Sequence, residues 1–178
     1  MGKGKPTHYD IYADVNWMGE WKLTNSIIIE AKRLIERIKL EYPKFSGKKA
    51  TENELAKLEK ELNITLPDWY VELYKTVPLI NAEFGIQEFE PEENFDGVSY
   101  MILESVDDII AESTKYEPGI SALEEGYVMF ANCSHGSGDP IFINLKAKQP
   151  IVVRIYHDDF STNPLAEDLS SMFKNAII

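Results

Sequence analysis

A short segment in the C-terminal half of the chain gathers side chain types that hydrolytic enzymes use. These residues are Cys133, Ser134, His135, Ser137 and Asp139. In nucleophilic catalysis, a nucleophile, a base and a group that orients the base must converge in space, and they normally come from separate segments. The residues around Ser137 also do not form the G-x-S-x-G motif that exposes a nucleophilic serine. We therefore interpret the segment as a tight turn and predict no catalytic residue.

A metal site is the second chemistry that the sequence offers. His157, Asp158 and Asp159 are consecutive, and imidazole and carboxylate groups ligate metal ions. However, neighbouring residues of a strand face opposite sides, so consecutive side chains rarely reach one ion. The other histidines, His8 and His135, lie elsewhere in the sequence. We therefore predict neither a metal site nor a cofactor.

The distribution of charge is the feature that bears most directly on function. The chain of 178 residues has a net charge of −12. Residues 83–125 contain 13 acidic residues and a single basic one, whereas residues 1–50 carry an excess of Lys and Arg. The acidic stretch is either a solvated face that keeps the protein in solution or a surface that attracts a basic partner. From charge alone, we predict these partner contacts: Glu88, Glu90, Glu92, Glu93, Asp96, Glu124, Glu125, Asp158 and Asp159.

The same composition excludes several classes of protein. Nucleic acid and anionic lipid both require clustered cations, so a chain with a pI near 4.7 is not expected to bind either directly. The single cysteine excludes an intramolecular disulfide framework. No apolar stretch near residue 1 resembles a signal peptide, and the longest apolar run, residues 127–131, is too short to cross a membrane. We therefore expect a cytoplasmic protein.

The N-terminal part of the chain predicts an arm followed by helices. Residues 1–24 lack clear periodicity, but their large aromatic side chains would be adhesive if exposed, so we expect this arm to pack on the body. Those aromatic residues are Tyr9, Tyr12, Trp17 and Trp21. Apolar residues at steps of three and four predict a helix over residues 26–41, capped by Asn25. Thr51 and Glu54 form the T-x-x-E capping box of a second helix.

The rest of the chain predicts a third helix and then a group of strands. Pro67 suits the first position of this helix, where Trp69 and Tyr70 would pack in the core or, alternatively, anchor a partner. The predicted strands are residues 84–89, 98–103, 127–131, 141–145 and 151–156. Ser105 caps a short helix between strands, and a last helix is expected from Asn163. This order indicates an α+β domain with an antiparallel or mixed sheet packed against helices.

Four segments, in order, resemble the SUKH superfamily of Smi/Knr-type cell-wall regulators and bacterial immunity proteins. The first, residues 54–70, is a helix rich in Glu and Leu that is followed by Leu-Pro, an acid and an aromatic residue. The second is the turn Gly136-Ser137-Gly138-Asp139 ahead of a strand. The third is the strand of residues 150–158, and the fourth is the closing helix of residues 165–173.

The resemblance covers residues 51–178, and the chain departs from it at two places. Residues 76–81 stand where the family usually has Asn-Gly-Gly, and Phe160 lies near the position of a usual histidine. Both departures fall on loops, which leaves the partner open. Residues 1–50 lie outside the match. We therefore predict an N-terminal arm and helix packed on a SUKH-like domain, as one compact unit.

The resemblance implies a binding fold without a catalytic site. Many bacterial members look like immunity proteins that neutralise a cognate toxin, and fungal members resemble regulators of cell-wall synthesis. Our first hypothesis is an immunity-type inhibitor whose acidic surface meets a basic toxin domain. The second is a regulatory scaffold that binds a cell-wall or signalling enzyme. The third is a small-molecule binder or enzyme with a pocket between the first helices and the sheet. The sequence predicts no oligomeric state.

Overall fold

In the described part of the chain, three α-helices precede the first strand and three more lie between or after the strands, an arrangement that confirms the predicted α+β class. The computed structural model describes residues 8–134 and 139–178, with the side chains of its first helix described from Lys22 onward. The helices are α1 (His8–Glu41), α2 (Glu52–Leu62), α3 (Asp68–Thr76), α4 (Val106–Lys115), α5 (Gly119–Glu125) and α6 (Leu169–Lys174). The strands are β1 (Glu83–Gln87), β2 (Val98–Leu103), β3 (Tyr127–Cys133), β4 (Ile141–Asn144), β5 (Val152–Ile155) and β6 (Thr162–Pro164).

The six strands lie side by side in the order in which the chain forms them. Each pairing between the described strands, from β1–β2 to β5–β6, is antiparallel, so the sheet is not mixed. The third strand, β3, lies inside the sheet, where Val128, Met129 and Phe130 are almost fully buried. A continuous apolar run is typical of a strand covered on both faces. The prediction that residues 127–131 form a central strand is therefore confirmed.

The first helix is longer than the sequence predicts. Its apolar stripe is buried as expected, including Ile27, Leu34 and Ile38, and it packs against α3 and α6. However, α1 begins at His8, and Asn25 lies within it, so the prediction that Asn25 caps the helix is wrong. The aromatic side chains that we expect to pack on the body, from Tyr9 to Trp21, lie outside the described side chains.

The second and third helices begin close to where local sequence signals place them. The backbone N–H of Thr51 donates to the Glu54 carboxylate at 2.7 Å, and the Glu54 N–H donates to the Thr51 hydroxyl at 3.2 Å. This reciprocal pair confirms the capping box. Pro67 precedes α3 instead of opening it, and Trp69 and Tyr70 are buried in the core. Core packing, and not partner anchoring, is therefore the role of these two side chains.

The last third of the chain corrects two predictions. Thr162–Pro164 form strand β6 on the edge of the sheet, so the prediction that a helix starts at Asn163 is wrong. The closing helix, α6, instead starts after Asp168, whose carboxylate accepts a hydrogen bond from the N–H of Ser171 at 2.7 Å. The sequence interpretation also missed α5, a short helix between α4 and β3.

Residues 176–178 cover part of the outer edge of β1. The N–H of Gly85 donates to the carbonyl of Ile177 at 2.7 Å, and the N–H of Ile177 donates back to the carbonyl of Gly85 at 2.8 Å. The Arg37 guanidinium also donates to the carbonyl of Ala176 at 3.1 Å, which ties the segment to α1. Together these bonds make an antiparallel bridge on the open side of β1. Within the described part of the chain, no helix is both long and apolar enough to span a bilayer.

Candidate binding surface

The loop between β1 and β2 carries four of the predicted contact residues on its surface. We call residues 88–97 the acidic loop. Glu90, Glu92, Glu93 and Asp96 are all exposed there, and none of the four carboxylates forms an ion pair with another described residue. These charges are therefore available to a partner.

Main-chain hydrogen bonds hold the acidic loop in a defined conformation. Glu92 and Phe95 exchange two backbone bonds, at 2.7 and 3.2 Å. The side-chain amide of Gln87 donates to the carbonyls of Phe89 and Asp96, both at 2.8 Å. Gly97 adopts φ = 75°, a left-handed conformation that glycine accepts without strain. The loop is thus shaped before any partner arrives.

Two phenylalanines sit among the carboxylates of the acidic loop. Phe89 and Phe95 are 44% and 45% exposed, and their ring centroids are 6.0 Å apart. Aromatic side chains surrounded by polar residues are typical of the centre of a protein interface. Our sequence interpretation missed this pair. The sequence did contain a signal for it: both phenylalanines lie in a strongly acidic segment and belong to no apolar stripe of a predicted helix.

Glu88 differs from the other predicted contacts because its side chain is buried. Only 1% of the Glu88 side chain and 3% of the Arg154 side chain are exposed, and the two groups make bonds of 2.9 and 2.7 Å. Asn163 on β6 donates a further bond to the same carboxylate. Burial raises the pKa of Glu88, but the hydrogen bonds from Arg154 and Ser99 outweigh it and hold this pKa below its usual value. Glu88 therefore anchors the base of the acidic loop and is not an exposed contact.

Glu88, Asp139, Arg154, His157 and Asn163 are connected by hydrogen bonds, and we call them the Arg154 cluster. The cluster includes the histidine that the sequence offered as a metal ligand. Arg154 donates to the backbone carbonyl of Asp139 at 2.8 Å, and the carboxylate of the buried Asp139 bonds the ring of His157. The Asp139 hydrogen bond, and then the charge of Asp158, raise the pKa of His157. Among the described residues, no group of three or more His, Cys, Asp or Glu is arranged to hold a metal ion.

The segment that resembled a nucleophilic site is described only in part. Cys133 is half-buried at the end of β3, and Asp139 is buried in the Arg154 cluster. His135 and Ser137 lie outside the described residues, as does most of the predicted tight turn. Asp139 therefore has a structural role in the cluster.

The remaining predicted contacts gather around a groove beside β5 and β6. We call it the Phe160 groove; its volume is about 240 Å³, and it is lined by Pro118, Ser121, Ala122, Glu125, Tyr127, Ile155, Phe160 and Thr162. Glu124 and Glu125 are exposed at the end of α5. Asp158 and Asp159 are exposed in the turn that precedes Phe160. This surface is the second place where carboxylates border exposed apolar atoms.

The acidic loop and the Phe160 groove lie on opposite faces of the β5–β6 hairpin. Arg154 pairs with Asn163 in the sheet, and both side chains contact Glu88. Ile155 pairs with Thr162, and both line the groove. Successive side chains of a strand point to opposite faces, so neighbouring residues serve the two surfaces. The structure thus separates the predicted contacts into two exposed groups and one buried anchor.

Comparison with protein families agrees with the fold and with the matched motifs. The family model described as the SMI1 / KNR4 family (SUKH-1) matches residues 49–175, which is most of the chain. No curated protein matched the chain. The matched range begins just before the capping box and runs through the acidic loop, the Arg154 cluster and the Phe160 groove. The chain therefore belongs to the SMI1 / KNR4 (SUKH-1) family.

Proposed function

We propose that this protein is a non-enzymatic, immunity-type inhibitor that neutralises a basic toxin domain through its acidic loop. Membership of the SMI1 / KNR4 (SUKH-1) family supports a protein-binding module of the immunity or regulatory kind. The observation that carries the proposal is the exposed pair of Phe89 and Phe95 on a loop whose four exposed carboxylates form no ion pair with a described residue. An apolar centre with a charged rim is the arrangement that protein interfaces use.

Each part of the acidic loop has a separate task in this proposal. The carboxylates of Glu90, Glu92, Glu93 and Asp96 attract a basic surface over several ångströms, which speeds association. The rings of Phe89 and Phe95 then lose water to the partner, which slows dissociation. Fast association suits an inhibitor that must reach its target before damage is done.

The fixed shape of the loop supports tight binding. A loop that must become ordered on binding gives up conformational entropy, and this reduces affinity. The backbone bonds between Glu92 and Phe95, and the buried anchor at Glu88, fix the loop before it binds. Preorganisation of this kind leaves more of the contact energy for affinity.

The test is affinity capture from the native cell at low and high salt, followed by binding kinetics of the captured protein with four forms of this protein. We expect the natural chain to retain a basic protein at low salt and to lose most of it at high salt, because salt screens exposed charges. Reversal of the four exposed loop carboxylates to Lys should reduce the association rate at low salt by at least tenfold. Phe89→Ala with Phe95→Ala should instead raise the dissociation rate.

A matched control reverses four exposed acids outside both surfaces, namely Glu36, Glu41, Glu61 and Glu72. This variant has the same net charge as the loop variant and should keep the natural association rate. Equal association rates for the loop and control variants would contradict the proposal that the loop charges speed association. Capture of a cell-wall or signalling enzyme in place of a toxin would favour a regulatory scaffold instead.

A further inference from the structure

The Phe160 groove has the size of a site for one side chain. Its volume of about 240 Å³ is below the range of about 300–1,000 Å³ that small-molecule pockets occupy. Ala122, Tyr127 and Ile155 give it apolar walls. A groove of this size and lining fits a single long side chain that projects from a protein partner.

Phe160 occupies a position that disfavours its own side chain. Its φ is 59°, in the left-handed region that glycine and asparagine adopt far more readily than an aromatic residue. Hydrogen bonds from Phe160 N–H to the Tyr156 carbonyl and from Tyr156 N–H to the Ser161 carbonyl close the turn around it. Phe160 is 48% exposed, so burial of its side chain offsets only part of the strain. Strained residues that persist in this way cluster at functional sites.

The charges around the groove define the occupant. Glu125 lines it, Asp158 and Asp159 lie in the adjoining turn, and no lining residue is Lys or Arg. Two described cationic groups lie close to these acids in the chain: the Lys146 ammonium donates to the Glu124 carbonyl at 3.2 Å, and the His157 ring lies 3.2 Å from the Asp158 carboxylate. A long aliphatic stem with a positive head matches apolar walls with an acidic rim.

We propose that the Phe160 groove binds an arginine side chain from a basic segment of the protein partner. The arginine stem lies against Ala122 and Ile155, and the guanidinium stacks on the Phe160 ring and faces Glu125. This inference rests on the proposed protein-binding function, and it adds a second contact on the hairpin face opposite the acidic loop.

The probe that tests the groove is the blocked peptide Ac-Gly-Ala-Arg-Ala-Gly-NH2, followed by NMR at the methyl groups of Ala122 and Ile155. The control peptide replaces arginine with uncharged citrulline. We expect saturable shifts with the arginine peptide and at least fivefold weaker binding of the citrulline peptide. Phe160→Gly, which relieves the left-handed strain, should weaken binding about two- to fivefold. Tyr116→Ala, an exposed aromatic residue outside the groove lining, should leave binding unchanged.

Three outcomes would overturn the inference: no shift at the two methyl groups, equal binding of both peptides, or binding unaffected by Phe160→Gly. The peptide test does not involve the acidic loop, so the variant with four reversed loop carboxylates should bind the arginine peptide normally. Salt-sensitive capture of a basic protein without peptide binding would reject the groove and keep the proposed function. Peptide binding without capture of any protein would keep the arginine site and reject the inhibitor.

Discussion

Glu88 and Arg154 connect the end of β1 to β5 across the interior of the protein. Both side chains are almost fully buried, and they make two parallel hydrogen bonds. A buried ion pair adds little net stability, because removing two charges from water offsets their attraction. The pair instead fixes the position of the acidic loop, because Glu88, its first residue, can pair its buried charge only beside Arg154.

Arg154→Met should lower the free energy of unfolding by about 3–5 kcal/mol, because the Glu88 carboxylate would remain buried without its partner. Adding Glu88→Gln to this variant should recover part of the loss. Urea denaturation measures both changes. The pair of the exposed Arg33 and the partly buried Glu30, three residues apart on α1, supplies the control, and Arg33→Met should change stability by less than about 1 kcal/mol. If Arg154→Met lowered the free energy of unfolding no more than Arg33→Met, the anchoring role of Arg154 would be contradicted.

Residue-scale predictions succeeded where a local signal decides the contact. Thr51 and Glu54 lie three residues apart, and this spacing alone predicts their mutual hydrogen bonds. Glu88 was assigned to the exposed group because it lies among other acidic residues in the sequence. Its partner, Arg154, is 66 residues away, and only the sheet brings the two together. Charge patterns therefore located the acidic loop but could not identify the buried member.

At the scale of elements, the acidic loop is held by bonds at both of its ends. Gln87 and Glu88 fix the start, and Gly97 fixes the return to β2. A Cβ atom at Gly97 would lie 2.2 Å from the carbonyl oxygen of Phe89, which is closer than real contacts allow. The left-handed φ and this close approach both require glycine here.

Gly97→Ala should therefore lower the free energy of unfolding by at least about 1 kcal/mol. It should also shift the NMR signals of the acidic loop from Phe89 to Phe95. Gly19→Ala provides a control with the opposite expectation, because Gly19 lies within α1 and nothing stands within 4 Å of an added Cβ. Alanine favours a helix over glycine by about 1 kcal/mol, so this control should be as stable as the natural chain or more so. Equal changes in the free energy of unfolding for Gly97→Ala and Gly19→Ala would contradict the requirement for glycine at position 97.

The elements that the sequence missed are the ones that depend on distant contacts. β6 is three residues long and exists because it pairs with β5, a pairing that local propensity does not encode. The short helix α5 ends at Glu125 and is followed by Gly126, which adopts φ = 94°. The glycine is a stop signal in the sequence, but no strong apolar period precedes it. The Phe160 groove needs both elements, so it could not be predicted either.

At the scale of the whole molecule, the basic excess lies in the first 50 residues and the densest acidic charge lies in the middle of the chain, over residues 83–125. Exposed cations such as Lys32, Arg33 and Lys39 lie on α1, whereas the acidic loop carries several exposed carboxylates and no Lys or Arg. A protein with separated charges orients as it approaches a charged partner. The same separation means that total net charge understates the field that a basic partner meets at the acidic loop.

The bridge between Gly85 and Ile177 has a consequence for the behaviour of the protein in concentrated solution. Strand edges with open N–H and carbonyl groups recruit strands from other molecules, and folded proteins shield such edges. A chain cut after residue 175 would lose this shield and leave Gly85 open. We expect that variant to form oligomers as its concentration rises, which light scattering would detect. Ile177→Ala keeps the backbone bonds and should scatter like the natural protein. That result would assign to residues 176–178 the protection of the β1 edge from pairing with a strand of another molecule.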